Sequence, residues 1–270
     1  MNSLLITEAN LTLEYYINGS GDDTLICFHG HGRQVDDFLF LKHKDRKLIL
    51  IVLPHHGNSQ FPAERIKTQP LSVTELSSMF TKILEKEAVV DFHFIGFSQG
   101  GRFVLSLFPH YANRLKSVQV ISPDGMDPMS FYNRTSRIRL ARLLFQKWEN
   151  SPESFIRMAK LLFKLGLIRP KVFSFIELFA ANKEKFQRAS RTWRGFRNIT
   201  PDLNAIGKSL DSNNIYFRVI MGKYDQVIRT RQAESFLKRI NQVDALIEIE
   251  CGHDFFKKEN LKLLSDVLKL

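Results

Sequence analysis

The chain has 270 residues, 44% of them hydrophobic and 25% charged, with 14 glycines and 9 prolines. This ordinary globular composition excludes disordered, collagen-like and disulfide-scaffold classes. Its 39 Lys and Arg against 28 Asp and Glu leave a net charge of +11, which invites an anionic partner such as nucleic acid, a membrane surface or an acidic substrate.

The opening stretch from Met1 to Glu8 lacks a basic region and a long apolar run, so no signal peptide is expected. No segment approaches the ~20 apolar residues of a membrane-spanning helix. Cys27 and Cys251 are too far apart in sequence to suggest a zinc or redox pair. A reducing, cytoplasmic setting is the economical expectation, and there glycosylation signals such as those at Asn133 and Asn198 carry little weight.

Strands are expected at 11–17, 24–28, 48–53, 92–97, 117–121, 215–221 and 245–249, most of them nearly continuous in Val, Ile, Leu and Phe. Such runs belong to strands buried on both faces, hence to a mostly parallel sheet. Between them, 71–86, 100–108, 230–240 and 255–268 carry apolar residues at helical spacing. The alternation predicts an α/β fold with helices on both faces of the sheet.

It stops between Met126 and Thr200, where basic, aromatic, helix-period sequence takes over. That segment holds 16 Lys and Arg against 5 Asp and Glu, so it carries the whole net charge of the chain, along with both tryptophans and nine of the 23 phenylalanines. The expected division is a body of 1–125 and 201–270 with a helical insertion of 126–200.

Chemistry concentrates in Phe92-His93-Phe94-Ile95-Gly96-Phe97-Ser98-Gln99-Gly100-Gly101, which reads as strand, Gly-x-Ser-x-Gly, then helix. A serine on so tight a strand-to-helix turn needs small residues two before and two after it, and Gly96 and Gly100 stand there. The turn lifts the Ser98 hydroxyl to a helix N-terminus, where backbone N–H groups favour a developing oxyanion. A hydroxyl also needs a base, and a neutral imidazole suits that role.

With these features the chain resembles the α/β-hydrolases that carry a helical cap. Leu25-Ile26-Cys27-Phe28 running into His29-Gly30-His31-Gly32 is similar to the family's His-Gly-x-Gly loop. The resemblance implies oxyanion donors at the backbone N–H groups of His31 and Gln99. Leu53-Pro54-His55-His56-Gly57-Asn58-Ser59 is similar to the Asp-x-Pro-Gly-His-Gly-x-Ser loop, but departs from it at His55 and at Val52 or Leu53, where an acid is common. His55 and His56 are expected to be structural or pocket-lining. Neighbouring side chains diverge on an extended chain and no carboxylate cluster accompanies them, so neither metal nor cofactor is expected.

His253, between the last strand and the last helix, is where this family places its base. The acid that orients it is expected at Asp225, in the strand, glycine and acid run of Val219 to Asp225. Asp124, following the preceding strand, is the rival. The resemblance thus implies a serine hydrolase that cleaves an ester or thioester through Ser98, His253 and Asp225 by way of an acyl-enzyme. Carbon–carbon hydrolases and lyases share these elements, and so does a non-catalytic binding protein that retains the fold. In the insertion, 140–148 and 155–164 have one apolar and one basic side. Three readings stay open: a solvated cap surface, a face for anionic or acyl-chain substrates, and peripheral contact with an anionic membrane. No helix-turn-helix, RNA-binding or zinc pattern accompanies the charge, so nucleic acid is not an expected partner.

Overall fold

The computed structural model describes residues 1–127, 131–180 and 182–268. Eight strands, β1 (Ser3–Glu8), β2 (Leu11–Asn18), β3 (Asp23–Phe28), β4 (Arg46–Ile51), β5 (Phe92–Phe97), β6 (Leu115–Ile121), β7 (Tyr216–Gly222) and β8 (Leu246–Ile249), form one sheet in the order β1-β2-β4-β3-β5-β6-β7-β8. β2 pairs antiparallel with β1 and with β4, and every other pairing is parallel. The parallel strands are the apolar runs of the sequence, and Leu25, Ile26, Ile49, Phe94, Ile95, Val118, Val120, Val219 and Ile220 have no exposed surface. Each such side chain contributes roughly 1.5–3 kcal/mol by leaving water. β1 was not expected, because at this sheet edge exposed and half-buried residues alternate and no continuous apolar run marks the strand.

The helices are α1 (Arg65–Thr68), α2 (Val73–Lys86), α3 (Gln99–Leu107), α4 (Phe131–Arg137), α5 (Arg139–Trp148), α6 (Pro152–Lys164), α7 (Pro170–Ala180), α8 (Lys183–Gly195), α9 (Leu203–Ser212), α10 (Thr230–Arg239) and α11 (Lys258–Val267). Local chemistry sets their starts: Ser72 and Glu75 close a capping box on α2, and the side chains of Asn182 and Asp202 accept first-turn N–H groups of α8 and α9. Among the described residues no helix is long and apolar enough to cross a membrane.

The chain divides into two compact units. The first, Met1–Phe61 with Leu71–Pro128 and Asn198–Leu270, contains the sheet. The second joins Pro62–Pro70 to Met129–Arg197 and is entirely helical among its described elements. Of the expected insertion, residues 128–130 and 181 lie outside the described ones. The helical unit packs Trp148, Ala180 and Phe186 with Phe145, Phe155 and Ile156, and buries Glu149 against Arg194.

Strand order also locates the chemistry. From β3 the chain steps outward to β4, then returns across β3 to β5, so the connections leaving the adjacent ends of β3 and β5 diverge. Ligand sites of open parallel sheets form at such a reversal. In register, Phe28 stands beside Gly96, which brings the segments that follow them, 29–32 and 98–100, to the same edge.

Candidate active site

Ser98 sits between β5 and α3 with φ 49° and ψ −117°, in backbone space that a residue with a Cβ adopts only under strain. The turn is held open to that geometry by hydrogen bonds from Ser98 N–H to Ile121 O (2.9 Å) and from Asp124 N–H to Ser98 O (2.8 Å). Its closeness explains Gly100: a Cβ there would lie 2.1 Å from Phe28 O and 2.6 Å from His29 O, both backbone atoms.

The strand ends bring three of the expected residues together. Ser98 Oγ is 3.0 Å from His253 Nε2, and His253 Nδ1 is 2.6 Å from Asp225 Oδ2. Asp225 leaves β7 in a turn that returns its N–H to Gly222 O. Its Oδ1 accepts from the N–H groups of Val227 (2.7 Å) and Ile228 (3.0 Å), while Oδ2 also accepts from the Ser122 hydroxyl at 2.5 Å. Burial pushes this carboxyl up, but the bonds from His253, Ser122 and Ile228 outweigh it and hold the group below its ordinary value. Since Asp225 takes the proton side of Nδ1, Nε2 faces Ser98 as an acceptor. The Phe97 ring lies 5.0 Å from the imidazole, centroid to centroid, and supports its orientation.

Asp124 is placed elsewhere. It accepts two bonds from Arg102, at 2.9 and 3.0 Å, and Arg102 also reaches Ile199 O. Arg102 has no exposed surface, so its charge is matched by the aspartate.

Gln99 is the first residue of α3, with a buried side chain whose Oε1 has no hydrogen-bond partner among the described residues. The 29–32 segment abuts the same turn: a Cβ on Gly30 would fall 2.7 Å from the Phe97 ring and 3.3 Å from Ser98 Cβ. Two histidines fasten it. His29 Nε2 accepts from Leu53 N–H at 3.0 Å, which leaves Nδ1–H to donate to Gly30 O at 2.7 Å. His56 Nε2 accepts from Gly32 N–H at 2.8 Å, and its Nδ1–H donates to Pro54 O at 3.2 Å. Both rings are therefore engaged as neutral connectors of the 29–32 and 52–59 segments. The ring of His31 stands edge-on to His56, with centroids 5.4 Å apart. His55 has φ 67° and its ring meets Phe61.

Two supporting residues escaped sequence reading. Ser122 reads as a turn residue before Pro123, and Glu14 as one polar position of a strand. Glu14 is nearly fully buried and accepts from Ser3, Tyr16 and both Asn58 nitrogens, which holds the 52–59 segment from below. Cys251 lies two residues before His253, but burial and the nearby Asp254 and Asp225 push its thiol up to about 11, out of the range of a thiolate nucleophile near neutrality. Among the described residues no group of three His, Cys, Asp or Glu could hold a metal ion.

A family model described as alpha/beta hydrolase fold matches residues 23–151. No curated protein matches the chain. Similar solved structures include a thermophilic esterase from Thermogutta terrifontis with malate bound, at 13% identity and TM-score 0.67, covering 98% of this chain and 97% of that one. The thioesterase domain from the curacin biosynthetic pathway matches at 13% identity and TM-score 0.66, covering 100% and 99%. An alpha/beta hydrolase from a Medee basin deep-sea metagenome library matches at 14% identity and TM-score 0.66, covering 99% and 98%.

Proposed function

From an α/β-hydrolase fold, we propose that the chain is a serine hydrolase that cleaves an ester or thioester by way of an acyl-enzyme. The observation that carries this reading is the unbroken line Ser98 Oγ, His253 and Asp225, with gaps of 3.0 and 2.6 Å, built on a serine whose backbone is strained. Ser98 Oγ attacks the substrate carbonyl while His253 Nε2 takes its proton. Asp225 keeps the imidazole in the accepting tautomer and stabilises the imidazolium. The N–H groups of Gln99 and His31 receive the oxyanion, helped by the α3 dipole. His253 then gives the proton to the leaving alcohol or thiol, and water, deprotonated by the same ring, releases the acid.

The esterase and thioesterase among the structural relatives support acyl transfer to water as the reaction class. The helical segment after β6 carries the chain's excess of cations, which supports a substrate with a negative group. The test is labelling with a fluorophosphonate, which phosphonylates an activated serine. Wild-type protein should react and Ser98→Ala should not. Equal labelling of both, or of neither, would remove the basis of the reading.

A further inference from the structure

We propose that the outer faces of α5 and α6 dock on a bilayer containing anionic phospholipid. This concerns the surface of the helical unit and does not depend on the role given to Ser98.

In α5, Phe145 and Trp148 turn inward onto Phe155, their ring centroids 5.6 and 5.0 Å from it. At 3.6 residues per turn, Leu143 falls on the opposite side, while Leu140 and Leu144 continue the i, i+4 ridge that ends at Trp148, and all three are exposed, Leu140 by 66%. In α6, Ala159 is buried while Met158, Leu161 and Leu165 recur at the i, i+3 and i+7 spacing of one helix face, the two leucines 58% and 63% exposed; Leu167 follows at 72%. Single exposed leucines are common, but three on α5 followed by an uncovered apolar face on α6 are not accounted for by packing within the unit.

Cations flank these apolar residues: Arg139, Arg142 and Lys147 on α5, Arg157, Lys160 and Lys164 on α6. The carboxylates nearby are Glu149, committed to Arg194 and Arg191, and Glu153 in the first turn of α6. An exposed apolar stripe with cationic flanks is the chemistry of a helix lying in a membrane interface. The same charge argues against a second copy as the occupant, since two copies would bring like-charged faces together. Nucleic acid would leave the leucines without a role.

A cavity of about 180 Å³ gives a headgroup phosphate its own seat. Lys67 and Thr68 of α1 line it with Arg139, Arg142, Leu143 and Gln146 of α5. Among the described residues no carboxylate pairs with Lys67, Arg139 or Arg142. Like charges crowd here: burial, then Arg142 and Arg194, pull the Arg197 guanidinium down to about 10. Arg142 is steadied by a 2.9 Å bond to Ser136 O and Arg197 by bonds to Ile66 O, Lys67 O and Arg194 O. A phosphate in the cavity would accept from Lys67, Arg139 and Arg142 and relieve the repulsion. Leu143 belongs both to the cavity wall and to the exposed stripe, so the seat borders the apolar surface as a lipid phosphate borders its acyl chains.

The experiment is co-sedimentation of the full chain with vesicles of phosphatidylcholine mixed with phosphatidylserine, and of phosphatidylcholine alone. Binding should favour the mixed vesicles by at least about tenfold and weaken as salt rises. Arg139→Gln with Arg142→Gln, and separately Leu140→Ser with Leu161→Ser and Leu165→Ser, should each weaken it about tenfold or more. Circular dichroism melts establish that these surface variants remain folded. No binding, equal binding to neutral vesicles, or binding indifferent to both variants would overturn the proposal. So would a dimer that the leucine variant turns into a monomer, which makes a second copy the occupant. Inorganic phosphate that fully displaces the protein, with the leucine variant binding as wild type, would identify a site for soluble phosphate instead.

Discussion

The Ser122 hydroxyl donates to the same Asp225 oxygen that receives His253 Nδ1–H, at 2.5 and 2.6 Å. Ser122 follows β6 with φ 40°, and its N–H is held by Ile220 O at 2.7 Å. A left-handed serine fixed by the neighbouring strand thus fixes the carboxylate that orients the imidazole.

Ser122→Gly should remove that donor without disturbing the turn, because glycine suits a positive φ better than serine does. A hydrogen bond to a charged group contributes about 1.5–3 kcal/mol. If about half of it reaches the transition state through the set of the imidazole, kcat falls roughly 4- to 13-fold with KM little changed. Steady-state kinetics on a short-chain ester would check this. A loss confined to KM would assign the hydroxyl to substrate binding instead.

The two aspartates should separate cleanly. Asp225→Asn keeps the shape of the group but favours the wrong imidazole tautomer, and a loss of kcat of about 10⁴-fold is expected. Asp124→Asn should leave kcat near wild type and lower the melting temperature, because it strands the fully buried Arg102 at a cost of about 3 kcal/mol. Parallel kinetics and melts of the two variants decide it. The reverse pattern would make Asp124 the orienting acid.

The residues legible in sequence are those whose local pattern and chemistry coincide. Gly96-x-Ser98-x-Gly100 announces its turn because the close approach of Phe28 O tolerates no Cβ at Gly100. The strands from β3 to β7 were legible because burial of most of their residues on both faces makes their runs nearly continuous. β1 carries only a half-buried alternation, and α1 is a single turn, too short for any period to register. Ser122 and Glu14 were illegible for a different reason. Their partners, Asp225 and Asn58, are 103 and 44 positions away, and nothing in a lone serine or glutamate encodes a bond at that range.

Strain at Ser98 gives a stability prediction opposite to the activity one. A non-glycine residue at φ 49°, ψ −117° carries about 1–3 kcal/mol of backbone strain. Glycine would be relieved of it, less the roughly 0.4–1 kcal/mol that its freer unfolded chain costs. Ser98→Gly should therefore be more stable than Ser98→Ala by about 1 kcal/mol, and both should be inactive. Alanine is the proper reference because it also loses the contact with His253. Urea midpoints of the two variants would measure the difference, and equal midpoints would mean the turn holds Ser98 without strain.

Asp225 gives the pH dependence. Burial raises its affinity for a proton, but the bonds from His253, Ser122 and Ile228 lower it further, so the folded value lies below the unfolded one. The unfolded chain then binds the proton more tightly, and acid favours unfolding. The stabilising contribution is fully present above the ordinary aspartate range, about pH 4, and is lost as pH falls through the lower folded value. Asp225→Asn has no such titration. The stability gap between wild type and Asp225→Asn, followed by urea midpoints, should stay level from about pH 6 down to about pH 5 and narrow below about pH 4. A gap that widens on acidification would carry the opposite sign. It would mean that burial outweighs the bonds from His253, Ser122 and Ile228 and that the carboxyl is held above its ordinary value.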